Sequence, residues 1–498
     1  MEIQHRVCSA CYVPDSKHSQ ADRRILKNTG TSGMVDMTVG SVRGKLLRLA
    51  WPVMLSHLLQ TFYNLADAFW LGKLGRQALT APTITMHVFF IGFALAAGLS
   101  AAGTTLVSQY KGSGDEKKAA QVGGQLLVLL TGIGLVLGIA GFVLTPQILN
   151  LLQTPADSWQ MTYDYMRWIF TGFPLMFAFF VYQSINTGLG DTIRPMQVNL
   201  ISVILNAVLD PILIFGLGPF PEMGVVGAAV ATVFSRALAS VIGVSRLFKG
   251  NADIRIRRSD MRPNASLMGK IMKIGLPLGL GQLGTSMGFT FMIGIVNSFG
   301  SAVTAAFGVG NRIIHMAMVP AMGLSQANAT AVGQNLGAGK PDRAESSSRS
   351  ALLLIGIILL PMTLAMFFFG GDISRAFVDD PEVVQLGRTM FRVTTPSVFV
   401  FGFLLVLLGS FQGSGYTFPV MILNMSRLWA LRIPGAYLLA YTAGMGPMGI
   451  WWAMFISNTV VAVAGWLWFR TGTWKTKATH LVRNSMDADS IAAVTDMD

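Results

Sequence analysis

The chain repeats itself. Slid along itself so that position 332 falls on position 107, Val107-Ser-Gln-Tyr-Lys-Gly-Ser-Gly-Asp-Glu-Lys-Lys-Ala119 lies over Val332-Gly-Gln-Asn-Leu-Gly-Ala-Gly-Lys-Pro-Asp-Arg-Ala344. The same shift puts Pro52 on Pro277, Gly75 on Gly300, Gly188 and Gly190 on Gly413 and Gly415, Thr192 on Thr417, and Met223-Gly224 on Met448-Gly449. An offset kept almost without gaps means that one duplicated unit is the architecture. Duplicated units of long hydrophobic segments are how many secondary transporters are built, with the substrate route between the halves.

The solvent of that unit follows from composition. The chain is 52% hydrophobic and 12% charged with a mean hydropathy of +0.54, about half the charge of a soluble domain. Apolar stretches run over 46–71, 81–109, 120–145, 160–187, 196–216, 224–247, 270–297, 303–336, 348–370, 386–411, 419–442 and 448–470. Each reaches the ~20 residues that cross a bilayer as a helix. The expectation is an all-α integral membrane protein of about twelve transmembrane helices in two six-helix lobes. Six is even, so both units enter from the same side and the repeat is parallel.

The expected organisation is a disordered cytoplasmic tail (1–44), an N-lobe (45–248), a cytoplasmic linker (249–268), a C-lobe (269–470) and a polar cytoplasmic C-terminal tail (471–498). The stretch ahead of Ser41 holds no apolar run of signal-peptide type, and Met34 or Met37 could serve as the natural start. Cys8 and Cys11 form a CxxC without a second pair, weak as a zinc or redox signal.

The formal charge of +13 does not point to nucleic acid. With the N-terminus in the cytosol, Lys111, Lys117, Lys118, Arg194, Lys340 and Arg343 fall in cytoplasmic loops, and Lys249, Arg255, Arg257, Arg258 and Arg262 fall in the linker. That is the positive-inside bias, with membrane lipid headgroups as the partner. Lys73, Arg76, Arg375 and Arg388 are exceptions on the outer side. The location read from this is the plasma (inner) membrane, multi-pass.

Ionisable groups inside spans cost roughly 2.5–3.5 kcal/mol each at a helix centre, so they need a reason to be there. Asp67 and Asp210 are two such groups. Tyr63 precedes Asp67 by one helical turn, and Asn206 precedes Asp210 by one turn, so each pair shares a face. Both acids sit some 7–9 Å from the outer ends of their spans at ~1.5 Å per residue, a depth that suits one pocket. The repeat places Met292 opposite Asp67 and no acid near Ile433 and Pro434 opposite Asp210. A purely architectural residue would be expected in both halves, so the asymmetry favours function. Against it stands a local reading in which Pro211 breaks the helix and Asp210 satisfies the break.

The layout of twelve spans, the Gly190-Asp-Thr-Ile-Arg-Pro195 loop, Asn206…Leu-Asp210-Pro…Phe-Gly216 and the paired loops ending at Ala119 and Ala344 resemble multidrug and toxic compound extrusion (MATE) transporters. The resemblance covers roughly residues 45 to 470. It implies cation-driven efflux of amphipathic, often cationic small molecules by two lobes that open alternately to each side. One branch of that family couples through acids of the C-lobe. This chain has Gln282 in its seventh span and no acid between Arg388 and Gln412, so it is similar to the DinF-like branch that relies on the N-lobe. By that similarity Tyr63, Asp67, Asn206, Asp210 and Thr232 form the ion site, with Gln183 as a further amide.

Physical chemistry supplies a mechanism for such a pair. Ionising one carboxyl in a desolvated pocket is costly and ionising two is costlier, so the pair can take up a proton on one side and lose it on the other. Asn206 and Thr232 are neutral partners that serve either protonation state. Ionised, the pair attracts an organic cation or Na+; protonated, it releases it. H+ and Na+ both remain open as the coupling ion, because carboxylate, amide and hydroxyl oxygens also suit a hard cation. Each charge moved down 100 mV supplies about 2.3 kcal/mol. No other cofactor is expected, and the chain is read as a monomer.

The remaining polar groups in spans receive no role. His57 and His87 lack a recognisable partner, and snorkelling at cytoplasmic ends accounts for some of Arg236, Arg312, His315, Arg427 and Arg432. The 28 Met and 31 Phe suit either an adaptable cavity or ordinary packing. The paired GxG loops lack a Walker lysine pattern and read as tight turns, and Pro52 and Pro277 as matched kinks or static packing. The alternative function is a lipid-linked saccharide flippase of the same superfamily, which should carry cations in its cavity. No zinc cluster or nucleophile constellation in the spans suggests an enzyme.

Overall fold

The computed structural model describes residues 34–75, 77–250 and 254–476; Cys8, Cys11, Arg76 and the C-terminal residues 477–498 lie outside them. The described residues form twelve helices and no strands. In chain order these are α1 Val42–Lys73, α2 Thr80–Gly112, α3 Glu116–Leu151, α4 Trp159–Leu189, α5 Ile193–Phe215 and α6 Val225–Lys249 in the N-lobe. The C-lobe holds α7 Ala265–Asn297, α8 Ser301–Gly337, α9 Pro341–Arg375, α10 Pro381–Gly413, α11, and α12 Pro447–Arg470. Helix α11 is mixed: Phe418–Met425 and Ile433–Tyr437 are α-helical, while Ser426–Arg432 and Leu438–Thr442 are π-helical.

Ten of these helices are long and apolar enough to cross a bilayer. Helix α11 is helical without a gap from Phe418 to Thr442, and α1 carries Ser56, His57, Gln60, Thr61, Tyr63, Asn64 and Asp67 within its apolar run. A span that carries so many polar groups needs other elements to meet them.

The repeat is visible bond by bond. Within the lobes, Thr192 Oγ1 donates to the Leu49 carbonyl at 3.0 Å and Thr417 Oγ1 to the Ile274 carbonyl at 2.8 Å. Likewise Ser100 reaches the Phe180 carbonyl and Ser325 the Leu405 carbonyl. Between the lobes, Gln109 Nε2 donates to the Gly413 carbonyl at 3.0 Å, and Gln334 Nε2 to the Gly188 carbonyl at 3.1 Å. Thr105 and Thr330 bond the carbonyls of Gln412 and Thr187 at 2.9 and 3.1 Å. Every partner in these pairs is displaced by the offset that carries Val107 onto Val332. Helices α2 and α8 cross where a Cβ on Gly112 would lie 2.0 Å from the Gln334 carbonyl oxygen, and one on Gly337 would lie 2.0 Å from that of Gln109. Only glycine permits that approach.

Among the described residues, all inter-lobe hydrogen bonds lie at this one end, beside the basic loops. Apolar packing extends the seam partway, through Leu46, Leu49 and Ala50 of α1 against Ala321, Leu324 and Ala327 of α8, and Gly98 of α2 against Gly279 of α7.

The first residues of the structure differ from the expected tail. Val35 and Met37 are buried. The Val35 amide donates to the Gly190 carbonyl of the N-lobe at 2.9 Å, while the Met37 amide donates to Gln334 Oε1 of the C-lobe at 2.9 Å. Arg343 Nε binds the Met37 carbonyl at 3.0 Å and its NH2 group the Gly40 carbonyl at 2.6 Å, and Lys340 reaches the Thr38 carbonyl. Residues 35–40 are therefore a strap across the lobe boundary. A polar composition hides this, because the strap is held through its backbone.

The linker is also anchored. Gln125 on α3 donates to the carbonyls of Asp260 and Arg262 at 2.8 and 2.7 Å and accepts from the Asn264 amide at 2.8 Å. Asn264 in turn caps α7 through the Leu267 amide. After α12, Trp474 stacks on Phe469 with centroids 5.0 Å apart and is fully buried, and Lys475 pairs with Glu345, so 471–476 fold back onto the C-lobe.

Candidate functional site

The polar face of α1 is met inside the N-lobe. Tyr63 is buried and its hydroxyl donates to Thr232 Oγ1 of α6 at 2.9 Å. On α5, Asn206 and Asp210 are fully buried, and Asn206 Nδ2 donates to Asp210 Oδ1 at 3.0 Å. Helix α5 ends at Phe215, where Gly216 takes a left-handed conformation (φ 67°) as its C-cap. Asp67, half-buried on α1, lies within electrostatic range of Asp210. The five residues Tyr63, Asp67, Asn206, Asp210 and Thr232 thus converge from α1, α5 and α6. Gln183 on α4 is half-buried and is not hydrogen-bonded to this group.

Three oxygens stand out. Asp67 Oδ1, Asp210 Oδ2 and Asn206 Oδ1 are buried and have no hydrogen-bond partner. Buried polar atoms are normally paired, so each such exception calls for a proton, an ion or another donor. Two carboxylate oxygens and an amide oxygen are acceptors for H+ and a donor set for a hard cation.

Two further residues join the site to which sequence alone gives no role. Arg236 stands one turn after Thr232 on α6; its guanidinium lies 4.7 Å from the Tyr63 ring centroid and binds Gln60 Oε1 at 2.6 Å and Asn199 Oδ1 at 3.3 Å. It is therefore fixed beside the site and not snorkelling. Its i, i+4 spacing from Thr232 is the available signal. Tyr165 on α4 is buried within electrostatic range of Asp67, Tyr63 and Asp210; one tyrosine among many apolar residues gives no such sign.

The other lobe is built differently at the equivalent places. Met292, opposite Asp67, is buried in a hydrocarbon cluster with Phe307, Ala436 and Trp451. Gly288 stands opposite Tyr63 and Ser457 opposite Thr232.

The model of the MatE family matches residues 52–212 and again 277–438, two copies whose starting points, Pro52 and Pro277, are repeat equivalents. The chain belongs to the MATE family of transporters. It is 29% identical over 442 residues to a probable multidrug resistance protein YpnP of Bacillus subtilis, covering 88% of this chain and 97% of that one. It is 28% identical over 437 residues to an FAD transporter of Shewanella oneidensis, covering 87% and 94%. A MATE crystal structure in the bent conformation superposes with a TM-score of 0.84 at 27% identity, covering 90% of this chain and 99% of that one. Membership makes the molecule a multi-pass membrane transporter, with the polar group above inside its N-lobe.

Proposed function

We propose that this MATE transporter exports amphipathic, often cationic compounds by alternating access, in exchange for H+ or Na+ bound at Asp67 and Asp210. The observation that carries the reading is the set of three unpartnered buried oxygens on Asp67, Asp210 and Asn206 in one lobe, set against packed hydrocarbon around Met292 in the other. The name of the Bacillus subtilis relative supports drugs as cargo. With the basic loops in the cytosol of a plasma-membrane protein, the inter-lobe bonds close the cytoplasmic side, and the site belongs to an outward-facing state.

Competition does the coupling. Ionised, the acids hold a cation; a proton or Na+ arriving from outside removes the attraction that retains the cargo. Tyr63 and Thr232 fix the face of α1 against α6, so a change in occupancy of Asp67 is felt across the lobe. The test is displacement of a bound cationic dye from the purified protein by H+ and by Na+. Displacement by either ion that disappears in the Asp67→Asn and Asp210→Asn variants supports the reading; a dye that neither ion displaces sinks it.

The buried Arg427 and Arg432 favour a second reading, the lipid-linked saccharide flippase. In that case vesicles carrying the wild-type protein would not export a soluble dye against its gradient.

A further inference from the structure

The C-lobe carries buried positive charge where the N-lobe carries negative. Arg432 is 5% exposed and lies about 20 Å along α11 from Phe418, at ~1.5 Å per residue, too deep for its head group to reach an interface. Its Nε donates to Ser457 Oγ at 3.0 Å and its NH2 group to Asn458 Oδ1 at 2.5 Å. Ser457 is the repeat equivalent of Thr232, so the hydroxyl that receives Tyr63 in one lobe receives a guanidinium in the other. Arg427, 9% exposed, stacks over Phe401 at 4.2 Å. Its Nε is buried without an acceptor, and it donates no hydrogen bond among the described residues.

Among the described residues neither arginine forms an ion pair, although both carry their charge from one short helical segment. Two unneutralised guanidiniums inside a membrane lobe are expensive. Packing alone would not keep Arg427 there, since a neutral side chain could stack on Phe401 equally well. Both residues sit in the π-helical turn Ser426–Arg432, the kind of local irregularity that proteins often place at functional sites. Arginine's fork of donors matches the planar or tetrahedral oxygens of carboxylates, sulfonates and phosphates.

We infer that Arg427 and Arg432 form an anion-recognition site in the C-lobe that receives the acidic group of an amphipathic cargo molecule. The exporter would then take zwitterionic and acidic amphiphiles as well as cations, with the acids of the N-lobe left to the coupling ion. This rests on the chain being an exporter with cargo between its lobes, yet it is measured by binding alone, so a failure here leaves the transport assay of the N-lobe acids untouched.

The test uses the full chain purified in neutral detergent. The probes are 2-naphthalenesulfonate and the neutral 2-naphthalenesulfonamide, with binding followed by isothermal titration calorimetry. The wild type should prefer the sulfonate by about tenfold, the scale of one charge-assisted hydrogen bond. Arg427→Gln should abolish the preference while leaving the sulfonamide affinity unchanged; with no hydrogen bonds to lose, this variant should fold. Equal binding of the two probes by the wild type, or a preference that survives Arg427→Gln, would overturn the inference. Sodium chloride is the third probe: if chloride binds the wild type but not Arg427→Gln while the sulfonate binds neither, the site takes an inorganic ion and the cargo assignment is wrong.

Discussion

Gln109 and Gln334 are repeat equivalents that form the same bond in opposite directions, each donating to a glycine carbonyl of the other lobe. Their acceptor ends differ. Gln334 Oε1 receives the Met37 amide, whereas Gln109 Oε1 is buried without a partner. The strap therefore loads one of two equivalent latches. Removing Gln334 should loosen the closed end by about 1 kcal/mol more than removing Gln109, one hydrogen bond's net worth. Distances between spin labels placed on the two lobes at the opposite end should shorten in Gln334→Ala more than in Gln109→Ala; equal shifts would show that the strap contributes nothing.

Cutting the strap itself should act the same way. Arg343→Ala removes the bonds to the Met37 and Gly40 carbonyls, and a chain starting at Ser41 removes all of them. Amide exchange at the ends of α8 and at the Gly190 turn should quicken severalfold in both variants. Unchanged protection in the shortened chain would mean that the lobes hold this end without help.

The crossing at Gly112 and Gly337 is steric. A methyl group there would meet a backbone carbonyl at 2.0 Å, far inside contact distance, and backbone cannot rotate aside. Gly337→Ala should therefore depopulate the state closed at this end and lower its thermal stability, on the order of 1–3 kcal/mol as for other overpacked sites. Wild-type stability and label distances in Gly337→Ala would contradict the crossing described.

Tyr63 should matter through one atom. Tyr63→Phe deletes the hydroxyl that joins α1 to Thr232 but keeps the ring against Arg236, so about 1 kcal/mol of alignment is lost. Dye affinity should fall roughly fivefold while the protein remains folded. If Tyr63→Ala costs no more than Tyr63→Phe, the Arg236 stack is dispensable.

Much of this is legible in the chain. Twelve apolar runs and a fixed offset are periodic signals, and the helices and mirrored bonds follow them. Asp67, Asn206 and Asp210 are legible because polar groups in lipid are costly and because the repeat supplies a control position, Met292. What sequence does not reveal has a common cause. The strap is held by backbone groups and by Gln334, 297 residues from its partner Met37, and backbone bonds leave no mark on composition. Arg236, Arg427 and Arg432 look like residues able to reach an interface, because sequence gives depth along a helix but not the side that faces inward. The π turn Ser426–Arg432 of α11 lies where it meets α7 and α12, and it has no residue signature beyond Pro434.

Transport in sealed vesicles decides whether the N-lobe acids couple ion entry to export. With an imposed proton or sodium gradient, the wild type should drive a cationic dye uphill, while Asp67→Asn and Asp210→Asn, inserted at wild-type levels, should allow no accumulation. Undiminished uphill export by both variants would contradict the assignment of coupling to these two carboxylates.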